Sequence, residues 1–351
     1  MWKRVAGSPR ADVSMRILWP HNFNPAQPNS QVFMNIAAAG LRARGVDLRC
    51  EYLGNLRSVG NLVRARKRIR DMAGDFDLVH AQYGSACGLA AAAAGDVPKV
   101  LSIRGNDWSV YDQSVNFHYF HTRLARFMTR RSIGAYDLIV TVSRRVAGEI
   151  QRFAPGASVM AMPSPIDLNR FLPLDKREAR ARLGFPGNEE RWVLFNALNL
   201  DDPVKRFALA RKAFDLANER LGNLRLRIAT KLPHADLPLF TAACDVILCT
   251  SETEGWPNCV KEALACNVPF VATDVSDLHE IAAADPHCRV CPDDPQVLAD
   301  SLCEVLTSRE KPDVRKYVEG MRVEVLSDQL VGAYESLVGR KAAARGAARE
   351  I

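Results

Sequence analysis

At 351 residues the chain has room for two domains of ordinary size, each with its own core. Its 48% hydrophobic and 25% charged content excludes a disordered chain, and no run approaches the roughly 20 apolar residues that span a bilayer. The formal net charge of +7 arises in one half: residues 1–165 hold 22 Lys+Arg against 11 Asp+Glu, the remainder 25 against 29. That asymmetry implies a phosphate-rich or anionic-surface partner for the first half.

In chain order, residues 1–14 are polar and basic without an apolar centre, so they read as an extension and not as a secretory signal. Met15 opens the first strand-like run. Strands are predicted at 16–19, 48–53, 78–82, 100–103, 138–142 and 159–162. Helices are predicted between them at 31–44, 59–72, 84–94, 116–133 and 144–153. Short β-branched runs alternating with amphipathic stretches mark a parallel sheet covered by helices. Pro163 and Pro165 break the pattern. The alternation restarts with strands at 192–197, 225–229, 246–249, 270–273 and 289–291, and helices at 204–221, 237–243, 257–265, 278–284 and 295–307. A final amphipathic stretch covers 329–338, and the Ala/Arg-rich tail 339–351 is expected to fray. The domains expected are 1–14, 15–163, 164–325 and 326–351, the last a helix and tail that could pack back on the first domain.

Nine cysteines, an odd number without regular spacing, suit a reducing compartment. The Cys288-x-x-Cys291 pair has no second pair to complete a metal site.

The segment from Thr250 to Cys266 is the most informative. A buried-type strand leads into a polar loop and then a helix. Pro257 suits a first helical turn, which leaves the N–H groups of Asn258 and Cys259 at an open helix end, a ready anion site. Gly255 would let a ligand approach the backbone. Val260, Ala263 and Leu264 form the buried face, while Glu262 turns towards the same opening as Glu254. Alone, either glutamate reads as a solvated charge. Together with the strand, glycine, proline and helix, the two carboxylates flank a phosphate-binding site and would take sugar and ribose hydroxyls.

Glu254 and Glu262, seven residues apart, match the Glu-x7-Glu motif of the family 4 retaining glycosyltransferases of the GT-B fold, which this chain resembles. Residues 255–271 and 272–280 are similar to that family's donor-site strand and helix, and Pro163–Phe171 to its interdomain segment. Phe76–His80 and Ile103–Asp107 resemble its N-domain strand ends. The resemblance covers roughly residues 15–340. It implies an α/β GT-B architecture, two Rossmann-like domains facing across a cleft, and a retaining transferase of the hexosyltransferase class. Glu262 would hold the ribose hydroxyls and Glu254 those of the donor sugar. Gly255, Trp256 and Asn258 would line the sugar and diphosphate pocket, with Lys205 on the diphosphate and Lys231 as a weaker helper.

Three departures stand out. The family's Gly-Gly loop is replaced by residues 21–30, where Asn29 and Ser30 are the substitutes on the acceptor side. Arg104 stands where a histidine is frequent; it cannot act as a base but can stabilise an anion. Asp107 is the preferred acceptor-side carboxylate, ahead of His118 and His121. The resemblance further implies an oxocarbenium-like transition state, with Lys205 and the helix amides neutralising the departing diphosphate. No cofactor and no obligatory metal is expected beyond the nucleotide sugar itself. The Asp75-Phe-Asp77 pair reads as a structural turn.

The expected partners are a UDP- or GDP-sugar donor and a lipid-linked or glycan acceptor of surface-polysaccharide assembly. Basic stretches at 57–70 and at Arg123, Arg126, Arg130 and Arg131 point to an anionic membrane surface, with the protein cytoplasmic and peripheral at the inner face. No nucleic-acid recognition motif accompanies these arginines. Two alternatives stay open: a non-catalytic sugar-nucleotide- or polyanion-binding protein, and another GT-B enzyme such as a sugar-nucleotide epimerase. No Gly-x-Gly-x-x-Gly opens either domain, which disfavours a dehydrogenase.

Overall fold

The computed structural model describes residues 15–26, 31–105, 107–109, 117–186 and 189–347, and of 117–119 the backbone alone. The expectations for 1–14, Asn29, Ser30 and 348–351 lie outside those residues, as does the side chain of His118.

The first domain runs β1 (Arg16–His21), α1 (Val32–Arg42), β2 (Asp47–Tyr52), α2 (Val59–Ala73), β3 (Leu78–Ala81), α3 (Ser85–Ala91), β4 (Lys99–Ile103), α4 (Phe117–Ser132), β5 (Leu138–Thr141), α5 (Arg144–Phe153) and β6 (Val159–Ala161). Its six strands lie in the order β2-β1-β3-β4-β5-β6, every pair parallel. Because side chains alternate across a strand, Ile17, Leu78, Val100 and Leu138 enter one core while their neighbours Leu18, Val79, Leu101 and Ile139 enter another. The two faces are therefore apolar in consecutive residues, which is why the strands read as continuous hydrophobic runs.

The second domain runs α6 (Lys176–Arg182), β7 (Arg191–Asn196), α7 (Phe207–Leu221), β8 (Leu224–Ala229), α8 (Leu237–Ala242), β9 (Val246–Cys249), α9 (Asn258–Ala265), β10 (Phe270–Thr273), α10 (Leu278–Ala284), β11 (Arg289–Cys291) and α11 (Pro295–Thr307). Its five parallel strands lie in the order β11-β10-β9-β7-β8. Trp192, Leu194 and Ile247 face one core, and Val193, Phe195 and Leu248 the other. Connections leave in opposite directions between β7 and β9, the place where open parallel sheets bind ligands beyond their carboxyl ends.

Two elements differ from expectation. Helix α6 was not foreseen; Asp175 caps it by accepting from the Arg177 and Glu178 amides at 3.0 Å. The stretch expected to fray instead continues α12 (Val323–Ala347), a 25-residue helix. This helix lies on the first domain, where Leu330, Tyr334 and Leu337 join the core of Trp19, Met34 and Leu41. Tyr334 accepts from Trp19 Nε1 at 3.0 Å and meets His80 Nδ1 at 2.5 Å. Burial holds His80 well below its usual pKa, aided by Arg104, so it packs as a neutral ring. The chain thus crosses between domains twice, and the crossings touch: the Ile166 amide donates to Met321 O at 2.9 Å, with Ile166 bridged to Arg322. Among the described residues no helix is long and apolar enough to cross a membrane.

Candidate active site

A cavity of about 430 Å³ lies between the two sheets. Every wall comes from beyond the carboxyl end of a strand: Phe23 after β1, Tyr83 after β3, Arg104 after β4, Val142 after β5, Asn196 to Leu198 after β7, and Glu254 to Trp256 after β9.

The loop after β9 is held from below. Thr250 Oγ1 donates to the carbonyls of Lys205 (2.8 Å) and Arg206 (3.1 Å), and Arg206 returns to Thr250 O (2.7 Å) and Ser251 O (3.0 Å). Arg206 has φ +49°, a left-handed conformation that keeps α7 from starting before Phe207. Lys205 therefore sits in a turn facing the pocket and not inside the helix expected from 204. Its ammonium donates to Glu254 Oε1 at 2.5 Å, an oxygen that also accepts from Ser251 Oγ at 2.8 Å. Burial alone would lower the Lys205 pKa, but the Glu254 carboxylate outweighs it and holds the lysine above its ordinary value. Lys205 stays a cation throughout the neutral range.

Pro257 is the N-cap of α9, one position before the expected helical turn, and the helix opens at Asn258. The amides of Asn258 and Cys259 are thus among those a helix leaves without intrahelical partners, and both residues line the cavity. Glu262, one turn on, lines it too; its Oε1 lies 3.5 Å from His234 Nε2. Gly255 serves a purpose other than ligand approach. A Cβ there would fall 2.1 Å from Arg104 O and 2.6 Å from Val142 Cγ2, so the glycine admits the opposite domain. Trp256 is buried against the same wall.

On the first domain, Arg104 lines the pocket but its guanidinium is committed. It donates to Gln82 O (2.8 Å), Gln82 Oε1 (2.7 Å) and Ser164 Oγ (3.2 Å), and lies 4.5 Å from the Phe33 ring centroid. Burial lowers its pKa to about 10, against the pull of Asp107. Asp107 does not face the cleft. It is fully buried, and its carboxylate accepts from the amides of Gly84 (2.8 Å), Arg104 (2.9 Å) and Gly105 (2.9 Å). Those oxygens hold the turn after β4 in shape, so Asp107 is a scaffold for Arg104 and not an open acceptor-side base. Lys231 is exposed in a left-handed turn and does not line the cavity, and neither does His121. Asp77 ties the start of β1 through the Arg16 amide at 2.8 Å, at the end of the sheet away from the pocket.

Two lining residues were not singled out from the sequence. Lys261 is 1% exposed and donates to Ser164 O (2.5 Å) and Asn258 Oδ1 (3.1 Å). Burial lowers its pKa to about 7; Glu262 opposes that and Arg104 adds to it. Its place one turn before Ala265 on the buried side of α9 was the available signal. His234 lies in the turn following β8, where no periodicity marks it.

A model of Glycosyltransferase Family 4 matches residues 10–170, and one of Glycosyl transferases group 1 matches residues 200–308. TuaC of Bacillus subtilis (strain 168), named for teichuronic acid biosynthesis as a glycosyltransferase, is 27% identical over 242 residues. That match spans 64% of this chain and 60% of the relative. Among solved structures, sucrose-phosphate synthase from Thermosynechococcus elongatus aligns with a TM-score of 0.75 at 15% identity, over 93% of this chain and 100% of that one. HepE of Anabaena in complex with UDP-glucose aligns with a TM-score of 0.66 at 17% identity, over 92% and 100%. At such identities the likeness is one of fold: two Rossmann-like domains in the GT-B arrangement.

Proposed function

With one glycosyltransferase family model matched in each half of a GT-B fold, this chain is a family 4-like GT-B protein, and we propose that it is a retaining glycosyltransferase. It moves a sugar from a nucleotide-sugar donor to a lipid-linked or polysaccharide acceptor in cell-surface glycan biosynthesis. One observation carries the reading: Glu254, Glu262, Lys205 and the open end of α9 converge on one cavity between the two sheets.

Each group has a distinct task. Lys205 presents three N–H donors, of which Glu254 Oε1 takes one, leaving two for phosphate oxygens. With the amides of Asn258 and Cys259 it neutralises the charge that builds on the leaving nucleoside diphosphate, in a site where water is displaced and such contacts strengthen. Glu262 accepts the ribose hydroxyls and Glu254 those of the donor sugar. Arg104 stabilises anionic charge on the acceptor side. UDP-sugars are the donors to test first, because the HepE structures hold UDP and UDP-glucose. The teichuronic acid assignment of TuaC supports an acceptor of the surface-glycan kind. No metal enters this scheme, since lysine and helix amides take the diphosphate charge.

A non-catalytic sugar-nucleotide-binding protein is favoured by one feature, the turning of Asp107 into the scaffold. Donor hydrolysis or transfer separates the two readings, and an epimerase would return an isomerised donor instead. Glu262→Ala is expected to lose about 1.5–3 kcal/mol of nucleotide affinity, roughly 10- to 150-fold, the scale of one charged hydrogen bond. Unchanged calorimetric affinity for every UDP-, GDP- and ADP-sugar bound by the parent would remove the site assignment.

A further inference from the structure

A second pocket opens beside the donor loop, and it concentrates positive charge. Its floor is Trp108, 1% exposed, whose Nε1 donates to Glu149 Oε2 at 2.7 Å. Arg126 lies 5.3 Å and Arg130 5.4 Å from the Trp108 ring centroid, and Arg130 also lies 4.5 Å from that of Phe153. Arg152 adds a third guanidinium on the rim. Against these three cations the lining offers one carboxylate, Glu149, already engaged by the indole. Among the described residues, the buried Nε atoms of Arg126 and Arg130 have no hydrogen-bond partner. Burial lowers the Arg126 pKa, and the neighbouring charge of Arg130 lowers it further.

Gathering like charges on aromatic faces costs free energy that this pocket does not recover internally. Stacking does, however, orient a guanidinium: its faces are covered while its N–H edge projects as a planar fork matched to carboxylate or phosphate. Phe153, 44% exposed, offers an apolar face beside that fork. Thr253 reaches the pocket from the second domain and immediately precedes Glu254, so the pocket lies one residue along the chain from the donor site.

We propose that Arg126, Arg130 and Arg152, set against Trp108 and Phe153, form an acceptor subsite that grips an anionic group, carboxylate or phosphate, borne by the acceptor glycan. The inference rests on the transferase reading for the word acceptor, but the anion-binding site stands on its own geometry. The sugar bearing the charge packs its C–H face on Phe153, and the arginine forks take its oxygens.

Equilibrium binding tests this without turnover. The probes are trigalacturonate, neutral trigalactose and glycerol phosphate, each titrated at low salt against the parent protein, Arg126→Gln/Arg130→Gln, Arg152→Gln, and a control, Lys67→Gln/Arg70→Gln, on the exposed face of α2. At least one anionic probe is expected to bind the parent and to lose tenfold or more in the double variant. A several-fold loss is expected in Arg152→Gln, which removes an exposed side chain and leaves the fold intact. Melting temperatures check that the double variant is folded. The probe bound more tightly through these arginines tells a uronate from a glycosyl phosphate, and either supports the subsite. Equal binding of trigalactose, no anion binding at all, or an equal loss in the α2 control overturns it. Loss of nucleotide binding with anion binding preserved would sink the transferase reading alone.

Discussion

Between about pH 7 and 10.5 an unfolded chain holds a proton on Lys261 that the folded chain has released, because burial disfavours the ammonium. The unfolded state then binds more protons, so stability rises with pH across that window. Below about 7 both states are protonated and the cost of enclosing the cation is fully present. The stability of the parent relative to Lys261→Met should accordingly improve from pH 7 to 9.5. Urea midpoints of both proteins measure this, and a constant gap would show that Lys261 titrates normally. The same residue shows what spacing could not reveal. Glu254 and Glu262 were readable because seven intervening residues bring loop and helix carboxylates to one opening, and Lys205 because it precedes a helix beside that loop. Lys261 was hidden by its own chemistry, since a lysine is rarely enclosed. Asp107 misled for the opposite reason: a carboxylate in a Gly-Asn-Asp turn looks available until three backbone amides are found on it.

At the level of elements, α1 and α12 meet without a gap. A Cβ on Gly40 would lie 2.2 Å from Ser327 Oγ and 2.6 Å from Val323 Cγ1. An alanine in mid-helix ordinarily gains about 1 kcal/mol over glycine, yet overpacking of this kind costs about 1–3 kcal/mol. Steric cost should win, so Gly40→Ala is expected to lower the urea midpoint and Ser327→Gly to restore part of the loss. A stabilised Gly40→Ala would mean that α12 does not sit where described. The strands were readable from their apolar runs. Helix α12 was foreseen only over 329–338, because an Ala/Arg-rich end was taken for a loose tail although both residues are strong helix formers. Arg345 now reaches Asp96 O at 3.1 Å. Asp175, with Glu178 three residues on, was a capping signal that passed unread.

Seen whole, the molecule is polarised, with its positive excess on the first domain. Helices α2 and α4 both pack on α3, on one face of that domain's sheet. Along α4, Phe120 (65% exposed), Leu124 and Phe127 (60% exposed) make an apolar stripe beside Arg123 and Arg131, and on α2 Val59 and Val63 are exposed beside Lys67 and Arg70. Apolar groups at one to two turns' spacing among cations suit a headgroup layer. Flotation with phosphatidylserine vesicles at low salt is expected, and Phe120→Ser/Phe127→Ser should reduce it more than tenfold, since each phenyl ring inserted is worth about 1.5–3 kcal/mol. Protein left in the pellet at low salt would refute a peripheral membrane role. The two alternating series and the proline break between them were evident from sequence. The contacts joining the halves were not: Asp277 accepts the Arg144 and Arg145 amides at 2.8 and 2.9 Å across 133 and 132 residues, a separation that no local pattern records.

That α12 seals the first sheet has a consequence for biosynthesis. Trp19, Met34 and Leu41 leave the ribosome some 300 residues before the side chains that cover them, Leu330, Tyr334 and Leu337. At about 5–20 residues per second, the first domain waits many seconds with an apolar face uncovered. Its yield in cells should depend on chaperones that shelter nascent chains.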